Sequence, residues 1–173
     1  MQIIVEDGKG RPDANSFVPL EKLTFYRDYY GFRIPEAEAD QVELLLRAAA
    51  DINARQWKGS KANPDQAMAW PRRDCKIEYQ TLSETFVPFE LEWGQVRLAV
   101  ELYAVEQGFL IEEPTHCTEP NGRRTRLNRD TPGFRMRPPP YAPSRAQFAD
   151  FLLTRGLRLV WWRNDGKGFS RLI

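Results

Sequence analysis

The chain has 173 residues, of which 42% are apolar and 28% charged, with two cysteines and a formal net charge of +1. That length suits one domain able to bury a core without disulfides or a metal. Cys75 and Cys117 are only two and show no CxxC spacing, which argues against a disulfide framework and makes two ordinary thiols in a reducing compartment the expectation. The net charge conceals a split. Residues 1–113 hold 13 Lys and Arg against 20 Asp and Glu, a balance of −7, while residues 114–173 hold 12 against 4, a balance of +8. The basic part therefore meets either acidic protein surfaces or phosphates. No apolar run approaches the roughly 18–20 residues that span a bilayer, and Met-Gln-Ile-Ile-Val-Glu-Asp-Gly lacks the basic start of a secretory signal. A soluble protein with no membrane partner is expected.

Ile3-Ile4-Val5 reads as a strand or extended arm, ended by Asp7-Gly8 and followed by turn formers up to Ser16. A first helix starts near Val18-Pro19 and runs through Leu23, Tyr26 and Tyr30 to a stop at Gly31. Pro35 then precedes the acidic turn Glu36, Glu38 and Asp40. Val42, Leu45, Ala49 and Ile52 recur at amphipathic spacing, predicting a helix over residues 36–56.

Residues 57–72 follow as a long loop bracketed by Trp57 and Trp70. Asn63-Pro64-Asp65 supplies turn chemistry, each indole can bury a large area if its N–H finds an acceptor, and Pro71 stops any helix begun at Asp65. The loop is either a buried brace or a contact surface for a partner. Asp74 to Thr85 is irregular by pattern. From Val87 to Gln107, Phe89, Trp93, Val96, Leu98, Val100, Tyr103, Ala104 and Val105 interleave with Glu90, Glu92, Arg97, Glu101 and Glu106, and Gly108 is the expected C-cap. The fold expected is mainly α: a small helical bundle with a long crossing loop, carrying an extended basic C-terminal arm.

That arm, residues 114–143, is proline-punctuated and bears Arg123, Arg124, Arg126, Arg129, Arg135 and Arg137. It contacts a neighbouring subunit or nucleic acid, with Phe134 and Tyr141 available for stacking in the second case. Residues 144–173 read as a short helix capped by Ser144, then a possible β-hairpin. Their apolar residues Phe148, Phe151, Leu152, Leu157, Leu159, Trp161, Trp162 and Phe169 suit docking on a partner.

Catalytic chemistry finds little purchase. His116 is the only histidine, and no orienting group accompanies its neighbour Cys117. One His and two Cys make a poor zinc set. Glu36, Glu38 and Asp40 are what a helix dipole favours in a first turn, and Gly166-Lys167-Gly168 lacks the rest of a phosphate loop. No catalytic residue, metal or cofactor is assigned, and the chain is expected not to be an enzyme.

Ile4-Val5-Glu6-Asp7-Gly8, Ala14-Asn15-Ser16-Phe17-Val18, Ala54-Arg55 and the loop residues Trp57, Lys58, Gly59, Pro64, Asp65, Gln66, Trp70 and Pro71 carry a resemblance. Over roughly residues 1–112 the chain resembles a tailed-phage family labelled DnaT-like single-stranded DNA-binding proteins, many of whose members serve as head-tail adaptor, or head completion, proteins. The resemblance implies a virion protein made in the host cytoplasm. It would form a homo-oligomeric, dodecameric ring that binds the portal protein, meets tail or neck proteins and encloses passing DNA. Residues 1–113 would be the adaptor body, and residues 144–173 would dock on the portal. The alternative is a single-stranded nucleic-acid-binding module using the arm from Arg123 to Arg137.

Overall fold

Proline and glycine set the helix limits in the computed structural model, which describes residues 2–127 apart from residues 56, 58, 78, 79, 112 and 113. Helix α1 (Leu20–Tyr30) follows an extended Pro19 and ends at Gly31, whose φ of 73° is left-handed. Helix α3 (Phe89–Gln107) repeats the pattern between Pro88 and Gly108. Helix α2 (Glu38–Asn53) begins later than Pro35 suggests and ends three residues before the predicted limit. Its buried face is Gln41, Leu44, Leu45, Ala48, Ala49 and Ile52, so the stripe is rotated slightly from Val42, which is only half-buried.

The fold is mixed and mostly helical rather than a pure bundle. Three short antiparallel ladders join the helices among the described residues: β1 (Ser60–Lys61) with β2 (Arg72–Arg73), β3 (Lys76–Ile77) with β4 (Gln80–Thr81), and β5 (His116–Thr118) with β6 (Arg124–Arg126). The apolar start forms no full strand. It makes one parallel bridge, Val5 to Ser16.

The core lies between the helices, with α2 packed along α3 and α1 against both. Sequence spacing gives α3 one apolar stripe, yet Leu91, Trp93, Val96, Leu98, Ala99 and Val100 are all buried, and so are Gln95 and Arg97. A helix covered nearly all round must satisfy its polar side chains internally. Gln95 does so completely. Its Oε1 accepts from the Phe17 N–H at 2.8 Å, and its Nε2 donates to Ser16 Oγ at 2.7 Å and the Leu45 carbonyl at 2.9 Å. One side chain thereby ties the N-terminal segment, α2 and α3 together.

Arg97 lies 4.4 Å from the Phe32 ring centroid, and its Nε is 3.9 Å from Glu101 Oε1. Burial pushes the Glu101 carboxyl up to about 7, and the nearby Arg97 charge opposes that rise only partly. The consequence for stability has a definite sign. The folded state holds the Glu101 proton to higher pH than the unfolded chain, whose ordinary value is 4.5. The favourable contribution is therefore complete below 4.5 and lost as pH rises through about 7. Glu101→Gln should flatten this dependence and raise stability at pH above 7 by about 2–3 kcal/mol. Urea midpoints of the two proteins in mildly acidic and mildly alkaline buffer check this, and parallel pH profiles would refute it.

Candidate functional site

The Trp57 to Arg72 loop is a brace whose polar groups point inward. Trp57 Nε1 donates to the Ile52 carbonyl at 3.1 Å, and its ring meets Trp70 edge-on at 6.0 Å between centroids. The Trp70 N–H, for which an acceptor was expected, has none among the described residues. Gln66 is buried and acts as the loop's internal template: its Nε2 donates to the Met68 and Pro71 carbonyls at 2.7 and 3.0 Å, and its Oε1 accepts from the Asn63 N–H at 2.9 Å. Asn63 Oδ1 accepts in turn from the Asp65 N–H, and Asn63 Nδ2 reaches the Gly10 carbonyl at 3.1 Å.

The Arg72 guanidinium closes the loop from the other side. It donates to the carbonyls of Ala69, Trp57 and Gly59 at 2.9, 3.2 and 2.6 Å. Burial pulls it below its ordinary value. Gly59 is required here, because its φ is 75° and a Cβ would stand 2.3 Å from the Arg73 carbonyl oxygen. Of the motif residues, Trp57, Gln66, Trp70 and Pro71 are buried, while Pro64 and Asp65 form the exposed tip. Lys58 lies outside the described residues. The glycine-rich turn before α1 is organised in the same way, since the buried Glu6 carboxylate accepts from the N–H groups of Gly8, Gly10 and Arg11, each at 2.9 Å.

The start of the expected arm is not extended. Residues 114–127 contain the β5–β6 hairpin, in which His116 pairs with Arg126, Cys117 with Thr125 and Thr118 with Arg124. Its turn runs from Glu119 to Gly122: the Gly122 N–H donates to the Glu119 carbonyl at 2.8 Å, Gly122 has φ 81°, and Asn121 Oδ1 accepts from the Arg123 N–H at 2.9 Å. Alternation puts Cys117 and Thr125 on the inner face and His116, Thr118, Arg124 and Arg126 on the outer one. Cys117 is 1% exposed and belongs to the core, β5 packs on α1, and Tyr29 Oη is 3.5 Å from Glu119 Oε1.

This seat holds the guanidinium groups of Arg123, Arg124 and Arg126 in solvent. An open groove of about 520 Å³ adjoins them, lined by residues including Tyr29, Tyr30, Phe32, His116, Thr118 and Arg124. His116 Nδ1 lies 2.9 Å from Thr115 Oγ1. His116 and Cys117 face opposite sides of the strand, as neighbours on a strand must. Arg129, Arg135 and Arg137, the stacking candidates Phe134 and Tyr141, and the apolar residues from Phe148 to Phe169 lie outside the described residues.

A second groove is acidic. Glu36, Asp40, Glu43 and Glu106 line it together with Arg47, which is ion-paired to Glu106. It shares no lining residue with the hairpin groove. Among the described residues no group of three His, Cys, Asp or Glu side chains could hold a metal ion, and no helix is long and apolar enough to cross a membrane.

Sequence reasoning missed Gln95, Glu6 and the inward role of Arg72, because a polar residue carries no mark of burial. Asn121-Gly122 was the available signal for the hairpin, masked by the prolines and arginines around it.

Residues 1–116 match the family model described as "Putative DnaT-like ssDNA binding protein". No curated protein and no solved structure matches the chain. The matched segment contains the three helices and the braced loop and stops at the first residue of β5, so Arg123, Arg124 and Arg126 lie beyond it. With most of its length covered by that match, the chain belongs to the family described as putative DnaT-like ssDNA binding protein.

Proposed function

We propose that this protein binds single-stranded DNA through the outer face of the β5–β6 hairpin. One observation carries the reading: Arg124 and Arg126, with Arg123 at the turn, stand exposed on a hairpin whose inner face is locked into the core. Guanidinium groups carried on a seated backbone neutralise phosphates without first ordering a flexible main chain, and they contact the nucleic-acid backbone independently of sequence. The family's description supports the same class of ligand. No reaction, metal or cofactor enters this reading.

Anisotropy titrations with labelled oligothymidylate across a salt series test it. Replacing Arg123, Arg124 and Arg126 together with alanine should reduce the slope of log affinity against log salt by about 2, at roughly 0.7 per lost phosphate contact on single strands. A slope equal to that of the wild type would sink the hairpin as the phosphate site.

A second reading is a head-tail adaptor of a tailed-phage neck, resident in the virion, forming a ring, dodecameric by resemblance, that joins the portal to tail or neck proteins. It is favoured by the separation of a basic hairpin and an acidic groove on one body. The hairpin of one subunit in the groove of the next is a heterologous contact that closes into a ring when repeated about an axis. Residues 144–173 would then dock on the portal. Light scattering of the chain with and without portal protein distinguishes the readings, since an unchanged monomer in both samples contradicts the adaptor.

A further inference from the structure

Phe25 and Phe89 are the only large aromatic residues among the exposed hydrophobic ones in the described residues, each 39% exposed. The core does not require Phe25, because Leu23, Tyr26, Tyr29 and Tyr30 supply the buried face of α1. The two rings nevertheless belong to one cluster. Phe25 stacks on Tyr29 at 5.3 Å with 24° between planes and approaches Trp93 at 6.3 Å, and Phe89 meets Trp93 at 5.8 Å. Trp93 itself is 7% exposed and fixes both.

The charges around the cluster are largely cancelled. Lys22 lies over Trp93 with its ammonium 4.5 Å from the ring centroid, and it is paired to Glu92. Asp28 is paired to Arg27. Glu21 is exposed on the same helix, so the aromatic surface gains no net attraction for phosphate. One helical turn along α1, Tyr29, on which Phe25 stacks, lines the hairpin groove together with Arg124, and its hydroxyl lies 3.5 Å from Glu119 Oε1 at the hairpin turn. The aromatic cluster and Arg124 thus meet at one groove. A single strand has two corresponding faces: uncharged rings on one side and phosphates on the other.

We propose that Phe25 and Phe89 form a base-stacking platform for single-stranded DNA whose phosphates lie on the β5–β6 hairpin, an inference that rests on the DNA-binding reading above. Stacking on an aromatic face tolerates any base, so the platform confers a preference for unpaired over abasic or duplex DNA and little sequence preference.

The test uses the full chain with labelled oligothymidylate about 20 nucleotides long and an abasic strand of equal length, long enough to fill sites of about 4–16 nucleotides. Phe25→Leu combined with Phe89→Leu keeps apolar volume and removes the π faces, and its circular dichroism melt is compared with that of the wild type. The expected result is roughly a tenfold or greater loss of affinity for oligothymidylate, with the salt slope and the abasic strand unaffected. The arginine triple variant should show the reverse: a reduced salt slope on both strands. Wild-type affinity of the leucine variant for oligothymidylate, with the arginine variant weakened, overturns the platform and leaves the hairpin reading standing. Equal wild-type affinity for the two strands also overturns the platform. Absence of binding by the wild type at low salt overturns both.

Discussion

Trp70→Ala is expected to lower the unfolding free energy by about 3–5 kcal/mol, the range for large aromatic truncations in a core. Trp70 is 1% exposed, packs edge-on against Trp57, and sits between the carbonyl of Ala69, which Arg72 engages, and Pro71, whose carbonyl Gln66 engages. Removing the ring leaves a void next to a network that cannot collapse without breaking bonds to Gln66 or Arg72. Trp70→Phe should cost far less, about 1–2 kcal/mol, because the indole N–H has no partner among the described residues and only packing is lost. Chemical denaturation of both variants measures the ratio. Equal losses would mean that the ring is not packed as described.

Gln95→Leu is the second large effect, at about 2–4 kcal/mol. The substitution conserves approximate volume, so the cost comes from polar groups. The Phe17 N–H is buried and bonded to Gln95 Oε1 at 2.8 Å, and a buried donor left without an acceptor costs its full desolvation. Ser16 Oγ keeps its bond to the Val18 carbonyl, so the serine loses less. Hydrogen exchange should therefore show the Phe17 amide losing more protection than the amides in the middle of α3. Uniform loss across the chain would point to a packing defect in place of the orphaned donor.

The helices were legible because proline and glycine mark their ends. Pro19 with Gly31 and Pro88 with Gly108 fix α1 and α3 almost to the residue. The ladders were not legible, since strands of two or three residues have no period to read, and register such as Ser60 with Arg73 depends on contacts across the loop. The hairpin shows a different failure. Its composition looks like an unfolded arm, but Cys117 on the inner face is buried in the core and Leu127 packs against it, which seats the hairpin. The motif residues Trp57, Gln66 and Trp70 were visible as a constellation, yet the sequence left open whether they brace the chain or contact a partner. Their bonds turn inward, so these three residues brace the chain.

The two buried thiols divide the molecule into parts that can be followed separately. Cys75 is sealed beside the braced loop near Gly59, and Cys117 is sealed beneath the hairpin. A thiol reagent can reach each only when its own lid lifts, so the two modification rates act as independent clocks for opening the loop and for undocking the hairpin. A ligand that grips the hairpin would slow the second clock and leave the first unchanged.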